Sequence, residues 1–171
     1  MPVVADSSTL ISLASIGRLS LLREFHRKIL IPPAVWREVV LEGRGRPGAS
    51  EVRQAQQAGW VEVAEPSDRS LVVMLRRELD DGEAEAIALA REKKAEVVLL
   101  DETDARRIAE VLGIPRAGVV GVLLRARLEG RIPSLQAELD RLRRERGFRL
   151  ADTIYRAVLE RAGEVPEAEE R

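Results

Sequence analysis

Short apolar runs alternate with longer stretches of helical spacing in the amino-terminal part of the chain. Four runs, PVVAD, KILIPP, WVEVAEP and EVVLL, have the length and apolar content of strands. The stretches between them place apolar residues three and four positions apart, as at Leu10, Leu13 and Ala14, which predicts helices. Strands that alternate with helices favour a parallel sheet covered by helices on both faces. The predicted fold class is therefore α/β.

Glycine and proline mark the ends of several predicted elements. Gly17 divides the first amphipathic stretch into two helices. Pro33 is well placed as the first residue of a helix that Gly43 ends. Gly113 closes a later helix, and three further amphipathic stretches predict a helical carboxyl half.

The composition is that of a globular protein. The chain has 171 residues, of which 45% are hydrophobic and 33% are charged, so that it can bury a sizeable core. No internal repeat and no domain linker interrupt it. We therefore expect one domain over residues 1–163, followed by an acidic tail over residues 164–171.

The charge balance and the residue types exclude several classes of protein. Because 28 Lys and Arg oppose 29 Asp and Glu, a nucleic acid or a membrane would have to be bound by a local patch. The absence of cysteine excludes disulfides, thiolate metal sites and cysteine nucleophiles. The amino terminus lacks a signal-peptide pattern, and no apolar run reaches the roughly 18 residues of a membrane span. We expect a cytoplasmic protein.

Acidic residues follow two of the predicted strands. Asp6 ends the first strand, and Asp101 follows EVVLL, with Glu102 and Asp104 close behind. An acid in such a place is most often a helix cap. However, parallel strands bring their carboxyl ends to one edge of the sheet. If both strands belong to that sheet, Asp6 and Asp101 become close neighbours.

Two glutamates can join this pair. Glu83 lies at the start of a predicted helix, and Glu38 lies at the border of an apolar helix face; each placement alone is ordinary. Crowded carboxylates raise one another's pKa unless a cation neutralises them. A set of oxygen ligands suits Mg²⁺ or Mn²⁺ rather than Zn²⁺. The only histidine, His26, lies between basic residues and is expected at the surface or in packing.

The order and spacing of six motifs resemble the PIN-domain superfamily, and more narrowly its VapC-type toxin ribonucleases. The motifs are VVADSSTLISLASIG, PPAVWREVV, DDGEAEAIALA, VVLLDETDARRIAEVLGI, GVVGVLLRARLEGRI and GFRLADTIYRAVLERAGE. The resemblance implies a three-layer α/β/α sandwich with a central parallel sheet. It also implies a ribonuclease site in which three or four acids bind a divalent metal.

Carried over residue by residue, the resemblance assigns the site. The implied catalytic acids are Asp6, Glu38, Glu83 and Asp101. The candidate ligands of Mg²⁺ or Mn²⁺ are Asp6, Glu83, Asp101, Glu102 and Asp104. Two positions stay open, because Glu102 and Asp104 compete with Asp101 for the last acid, and Glu85 competes with Glu83.

A nuclease must also hold a polyanion near these acids, which requires cationic side chains. The candidate nucleic-acid contacts are Ser7, Arg44, Arg46, Arg106 and Arg107. For Ser7, capping of the first helix is the favoured role. The arginine-rich run RLRRERGFR is interspersed with acids and is expected to be a solvated helix face. Aromatic residues make up 3% of the chain, so base stacking contributes little.

These observations predict a Mg²⁺- or Mn²⁺-dependent ribonuclease that hydrolyses phosphodiester bonds without a covalent nucleophile. The resemblance further implies the toxin of a toxin–antitoxin-like pair, with a small antitoxin-like partner and a homodimer. Two alternatives remain. One is a PIN-like protein of weak activity that mainly binds a partner, and the other is a metal-dependent DNA nuclease or phosphatase.

Overall fold

A computed structural model describes residues 1–164 of the chain. Contacts between residues divide the chain into two compact units, Met1–Val119 and the residues from Val120 onward, and each is described by itself. The single domain predicted over residues 1–163 stays a prediction. Of the predicted acidic tail, residues 165–171 lie outside the described residues.

The first unit contains a five-stranded sheet in which every pairing is parallel. Its order is β3-β2-β1-β4-β5, so that β1 lies in the middle. In register, Val3 of β1 lies between Ile29 of β2 and Val97 of β4. The strands are β1 Val3–Ala5, β2 Ile29–Ile31, β3 Val61–Val63, β4 Val97–Leu99 and β5 Arg116–Ala117.

Helices follow the strands in the alternating order that the sequence predicts. In the first unit they are α1 Ser7–Ser15, α2 Ser20–His26, α3 Pro33–Trp36, a π-helix Arg37–Leu41, α4 Ala49–Gln57, α5 Arg69–Leu75, α6 Asp81–Glu92 and α7 Thr103–Val111. The helix α8 Val119–Leu128 begins at the last residue of that unit. The helices α9 Leu135–Arg146 and α10 Asp152–Arg161 belong to the second unit.

Both faces of the sheet are covered. On one face Val4, Val98 and Leu100 pack into a core with residues of α5, α6 and α7. On the other face Val3 and Ala5 are also buried. Because the strands alternate their side chains between the faces, helices must cover both sides. The predicted parallel α/β/α fold is thereby confirmed.

Two local features differ from the prediction. The sequence predicts one helix from Pro33 to Gly43, but the helix widens after Trp36 into the π-helix. A π-helical turn is rare and frequently lies at a functional site. The strand β5 was not predicted, because Arg116–Ala117 is only two residues long and half-buried. No helix among residues 1–164 has both the length and the apolar character that crossing a membrane requires.

In the second unit, the Glu164 carboxylate binds the amino-terminal end of α9. It accepts hydrogen bonds from the backbone N–H groups of Leu135 and Gln136, at 2.7 and 3.2 Å, and from Ser134 Oγ at 3.0 Å. Arg127 Nε donates a further one at 3.3 Å. Burial raises the pKa of Glu164, but these hydrogen bonds and the charge of Arg127 outweigh it and lower the pKa.

We expect Glu164→Gln to lower the free energy of unfolding by about 1–3 kcal/mol at neutral pH, because the donors at the start of α9 lose a charged acceptor. The difference from wild type should shrink as the pH falls through the lowered pKa, since wild type then loses the same charge. Urea unfolding at pH 7 and pH 3 measures both effects. The control is Glu160→Gln, an exposed acid on α10. A Glu164→Gln protein as stable as this control at pH 7 would contradict the assignment.

Candidate active site

The site lies at the carboxyl edge of the sheet, where the two central strands end. Asp6 directly follows β1, and its backbone N–H donates to Leu99 O at 3.1 Å, so that β1 and β4 run together to this edge. Asp101 comes two residues after β4 ends. The charge of Asp101 is one of those that raise the pKa of Asp6, so the two carboxylates act on each other at this edge.

Asp6 is a helix cap and a buried acid at the same time. Its Oδ1 accepts a hydrogen bond from the backbone N–H of Ser8 at 3.2 Å and so caps α1. Its Oδ2 is buried and has no hydrogen-bond partner among residues 1–164. Burial raises the pKa of Asp6 from 3.8 to about 7, against the Ser8 hydrogen bond, and the charges of Asp80, Glu38 and Asp101 add to the rise. The orphaned oxygen is unusual in a folded protein and points to a missing positive partner.

The start of α6 brings a second pair of acids. Glu83 is only 7% exposed. Burial raises its pKa first, followed by a side-chain hydrogen bond and charge repulsion from Asp80, and then by the charges of Asp6 and Glu102. Asp80 caps α6 by accepting from the backbone N–H of Glu83 at 2.8 Å. Sequence reasoning missed Asp80, although an Asp before a helix was a readable cap signal.

Glu38 comes from the π-helix and is held by Ser7. Ser7 Oγ donates to Glu38 Oε2 at 2.8 Å. The favoured role of Ser7 as the cap of α1 was wrong, because the cap is Asp6 and Ser7 is the first residue of the helix. Gly82 allows this approach, since a Cβ there would lie 3.3 Å from Glu38 Oε2 and 3.5 Å from Ser7 Oγ.

Asp101 is oriented through both carboxylate oxygens. Thr9 Oγ1 donates to its Oδ2 at 2.7 Å, and the backbone N–H of Val119, the first residue of α8, donates to its Oδ1 at 2.9 Å. A Cβ at Gly118 would lie 2.5 Å from Asp101 Oδ1, so only glycine leaves room for this arrangement.

The acids that competed with Asp101 occupy different surroundings. Glu102 is exposed, although its charge contributes to the raised pKa of Glu83. Asp104 is exposed and lies 3.7 Å from Arg107 Nη2 in an ion pair. Of these three acids, Asp101 alone is among the groups whose charges contribute most to the raised pKa of Asp6.

Glu85, the alternative to Glu83, is buried and has partners other than the acids of the site. Its Oε2 accepts from the backbone N–H of Ala34 at 2.7 Å, and its Oε1 accepts from Arg69 Nη1 at 3.3 Å. Ala34 belongs to α3, so Glu85 ties α6 to the start of the helix that leads to Glu38. This geometry favours a structural role for Glu85 and leaves Glu83 beside Asp6.

The isosteric pair Glu83→Gln and Glu85→Gln should separate these roles. At pH 8 without metal, we expect Glu85→Gln to lower the free energy of unfolding by about 1–2 kcal/mol, since a buried charged hydrogen bond is weakened. Glu83→Gln should raise it, because the raised pKa of Glu83 makes folding at pH 8 take up a proton at this residue, and Gln removes that cost. Cleavage should fall strongly only in Glu83→Gln. Urea unfolding and a nuclease assay on both variants measure this, and the opposite pattern would make Glu85 the site acid.

An open cleft of about 460 Å³ lies beside the site and is lined by two of its acids, Glu38 and Asp80. Its lining residues are Ala34, Arg37, Glu38, Glu42, Asp80, Asp81 and Gly82. The predicted contacts Arg44, Arg46 and Arg106 are exposed, and Arg107 is paired with Glu78 and Asp104. Within the described chain none of these four lines the cleft, whereas Arg37, which sequence reasoning did not select, does.

The donor set fits a hard divalent cation in its chemistry. All of the candidate ligands are carboxylates, and the buried Oδ2 of Asp6 lacks a partner among the described residues. No group of three or more His, Asp or Glu side chains in residues 1–164 is already gathered closely enough to hold a metal ion. A cation would therefore have to draw these side chains together as it neutralises them.

Comparison with known proteins agrees with this geometry. Residues 2–164 match a family model described as PIN domain. No curated protein matches the chain with significant similarity. PIN domains are in general nucleases that depend on divalent metals, which assigns the chain to that class of hydrolase. Because the match covers almost all of the chain, the protein belongs to the PIN-domain superfamily.

Proposed function

We propose that the protein is a metal-dependent endoribonuclease that hydrolyses phosphodiester bonds of RNA. The observation that carries this proposal is the buried Asp6 carboxylate. One of its oxygens lacks a partner among residues 1–164, and its pKa is raised to about 7. Such an arrangement destabilises the fold in the absence of a cation, and pKa values perturbed in this way are typical of functional sites.

Asp6, Glu83 and Asp101 hold Mg²⁺ or Mn²⁺ in this proposal, and Glu38 completes the acidic set from the side of the cleft. When bound, the ion makes water a better nucleophile and stabilises charge on the leaving oxygen. Glu102 and Asp104 are alternative ligands in this proposal. Of the two, Glu102 is the better candidate, because its charge contributes to the raised pKa of Glu83.

The remaining side chains of the site position these acids. Ser7 holds Glu38 by its hydroxyl, and Thr9 fixes Asp101 through a hydroxyl that is fully buried. At neutral pH the raised pKa of Asp6 keeps part of its population protonated, so binding of a cation displaces a proton from the site. Glu38 and Asp101 are thus held in place, and the rearrangement that binding requires falls mainly on Asp6 and Glu83.

The RNA substrate and the biological role rest on the resemblance of the six motifs to toxin ribonucleases. In this proposal the protein is the toxin of a toxin–antitoxin-like pair, acts in the cytoplasm as a homodimer and is bound by a small antitoxin-like protein. The scattered positions of the acids favour a second candidate, a PIN protein of weak activity that mainly binds its partner. Metal-dependent turnover separates the two.

The test is a cleavage assay on three substrates at equal concentration. These are a mixed-sequence single-stranded RNA, the DNA of the same sequence and a small phosphomonoester, each with Mn²⁺ and with EDTA. The proposal predicts internal cleavage of the RNA with Mn²⁺ and none with EDTA. Preferential cleavage of the DNA or the phosphomonoester would assign a different substrate. No turnover of any substrate would favour the partner-binding candidate.

A further inference from the structure

We propose that Arg37 binds a phosphate group of the nucleic-acid strand at the mouth of the acidic cleft. This inference rests on the proposed nuclease function and adds a specific substrate contact to it. Arg37 is the first residue of the π-helix and directly precedes Glu38. Both side chains line the same cleft.

The lining of the cleft is mostly acidic, so a single cationic side chain in it has a large effect on the binding of an anion. Four carboxylates line it, namely Glu38, Glu42, Asp80 and Asp81. A polyanion is repelled by such a surface unless cations offset the charge. Among the described residues, Arg37 is the one cationic side chain in the lining. The approach of a phosphate therefore depends on this residue more than on any other lining side chain.

Arg37 is also free to take an external ligand. Its side chain is exposed, and its guanidinium has no ion-pair or hydrogen-bond partner among residues 1–164. The nearby Arg76 differs, because its Nε lies 2.9 Å from Asp81 Oδ1 in an ion pair. A cation that faces several acids without pairing with any of them retains all its donors for an incoming anion.

The chemistry of the guanidinium matches a phosphodiester. Its planar fork donates two parallel hydrogen bonds to phosphate oxygens, a geometry that a lysine ammonium does not reproduce. Because Arg37 and Glu38 line the same cleft, a phosphate held by Arg37 lies on the side from which Glu38 joins the acidic site. Such a contact exists in the bound substrate before reaction, so its loss should raise KM more than it lowers kcat.

The variants that test this are Arg37→Gln, Arg37→Lys and the control Arg91→Gln. Arg91 is an exposed arginine in the last turn of α6, at the opposite end of the helix from Glu83. Both glutamine variants lose one positive charge from the surface of the same unit. Steady-state cleavage of a short single-stranded RNA with Mn²⁺ is measured at several salt concentrations.

We expect Arg37→Gln to raise KM about tenfold with kcat within about twofold of wild type, and Arg37→Lys to lie between them. The plot of log(kcat/KM) against log salt should become shallower by about 0.7 in Arg37→Gln, the slope that one phosphate contact contributes on a single strand. Arg91→Gln should match wild type in both quantities.

Three results overturn the inference in distinguishable ways. If wild type cleaves RNA and Arg37→Gln behaves as Arg91→Gln does, Arg37 binds no phosphate, while the proposed function stands. If Arg37→Gln lowers kcat while KM and the salt dependence stay unchanged, Arg37 influences the catalytic acids and does not bind a phosphate of the substrate. If wild type shows no metal-dependent cleavage of any nucleic acid, the proposed function and this inference fail together.

Discussion

Replacing Asp6 by Asn is expected to lower metal-dependent cleavage by about 10³-fold or more and, without metal, to make the protein more stable at pH 8. The activity falls because the loss of one anionic ligand removes several kcal/mol of transition-state stabilisation. The stability rises because Asn keeps the oxygen that caps α1 while removing a buried charge. Cleavage rates and urea unfolding in EDTA measure the two effects.

Lower cleavage together with higher stability distinguishes the loss of a catalytic site from the loss of the fold. The matched control is Glu96→Gln, which removes an exposed carboxylate just before β4, at the other end of the sheet. Its cleavage and its stability should remain close to those of wild type. An Asp6→Asn protein that is less stable than wild type at pH 8, or that cleaves RNA normally, would show that the carboxylate is structural.

The second large effect is a decrease of stability with rising pH in metal-free protein. The pKa of Asp6 is about 7 in the fold against an ordinary value of 3.8, so the folded state binds the proton more tightly than the unfolded state. The contribution of Asp6 to the free energy of unfolding should therefore fall as the pH rises from about 4 to 7 and level off above that. The Asp6 contribution is about 4 kcal/mol at most, from about 1.36 kcal/mol for each pKa unit. The pKa of Glu83, raised to about 9, acts in the same direction and extends the decrease above pH 7.

Urea unfolding in EDTA at pH 5 and pH 8 tests this dependence. Wild type should unfold at a lower urea concentration at pH 8, and Mn²⁺ should restore the midpoint because it binds only the folded state. Asp6→Asn should show a smaller difference between the two pH values, and the part that remains is the contribution of Glu83. Equal stability of wild type at both values, or an equal decrease in the variant, would mean that Asp6 is not the group responsible.

The edge of the sheet could be predicted from the sequence because it depends on topology alone. Asp6 and Asp101 follow apolar runs, and parallel strands must end at the same edge. The same reasoning could not separate Glu83 from Glu85. The segment Gly82–Ala90 of α6 is buried at every position, so neither helical periodicity nor burial distinguishes the two glutamates. Only the groups around the two side chains distinguish them, and most of these groups lie on other elements.

The supporting contacts of the site were beyond sequence reasoning for a related reason. Thr9 and Asp101 are 92 positions apart in the sequence. Nothing in the sequence distinguishes Thr9 from any other threonine in a helix, so its hydrogen bond to Asp101 could not be predicted. In the sequence alone, Gly82 and Gly118 look like ordinary helix or loop glycines. Their role becomes visible only when the side chains packed against them are known. Arg37 was overlooked because it lies on a π-helix, an element that no sequence pattern predicted.

The central claim is that the acids around Asp6 form a site for a divalent cation, and calorimetric titration of Mn²⁺ into wild type at pH 7 tests it most directly. Titrations in two buffers of different ionisation enthalpy give the binding constant and the number of protons released. Because Asp6 and Glu83 are protonated to a large extent in the metal-free protein, we predict binding that releases about half a proton or more for each ion. No binding at millimolar Mn²⁺, or binding with the same heat in both buffers, would contradict the account.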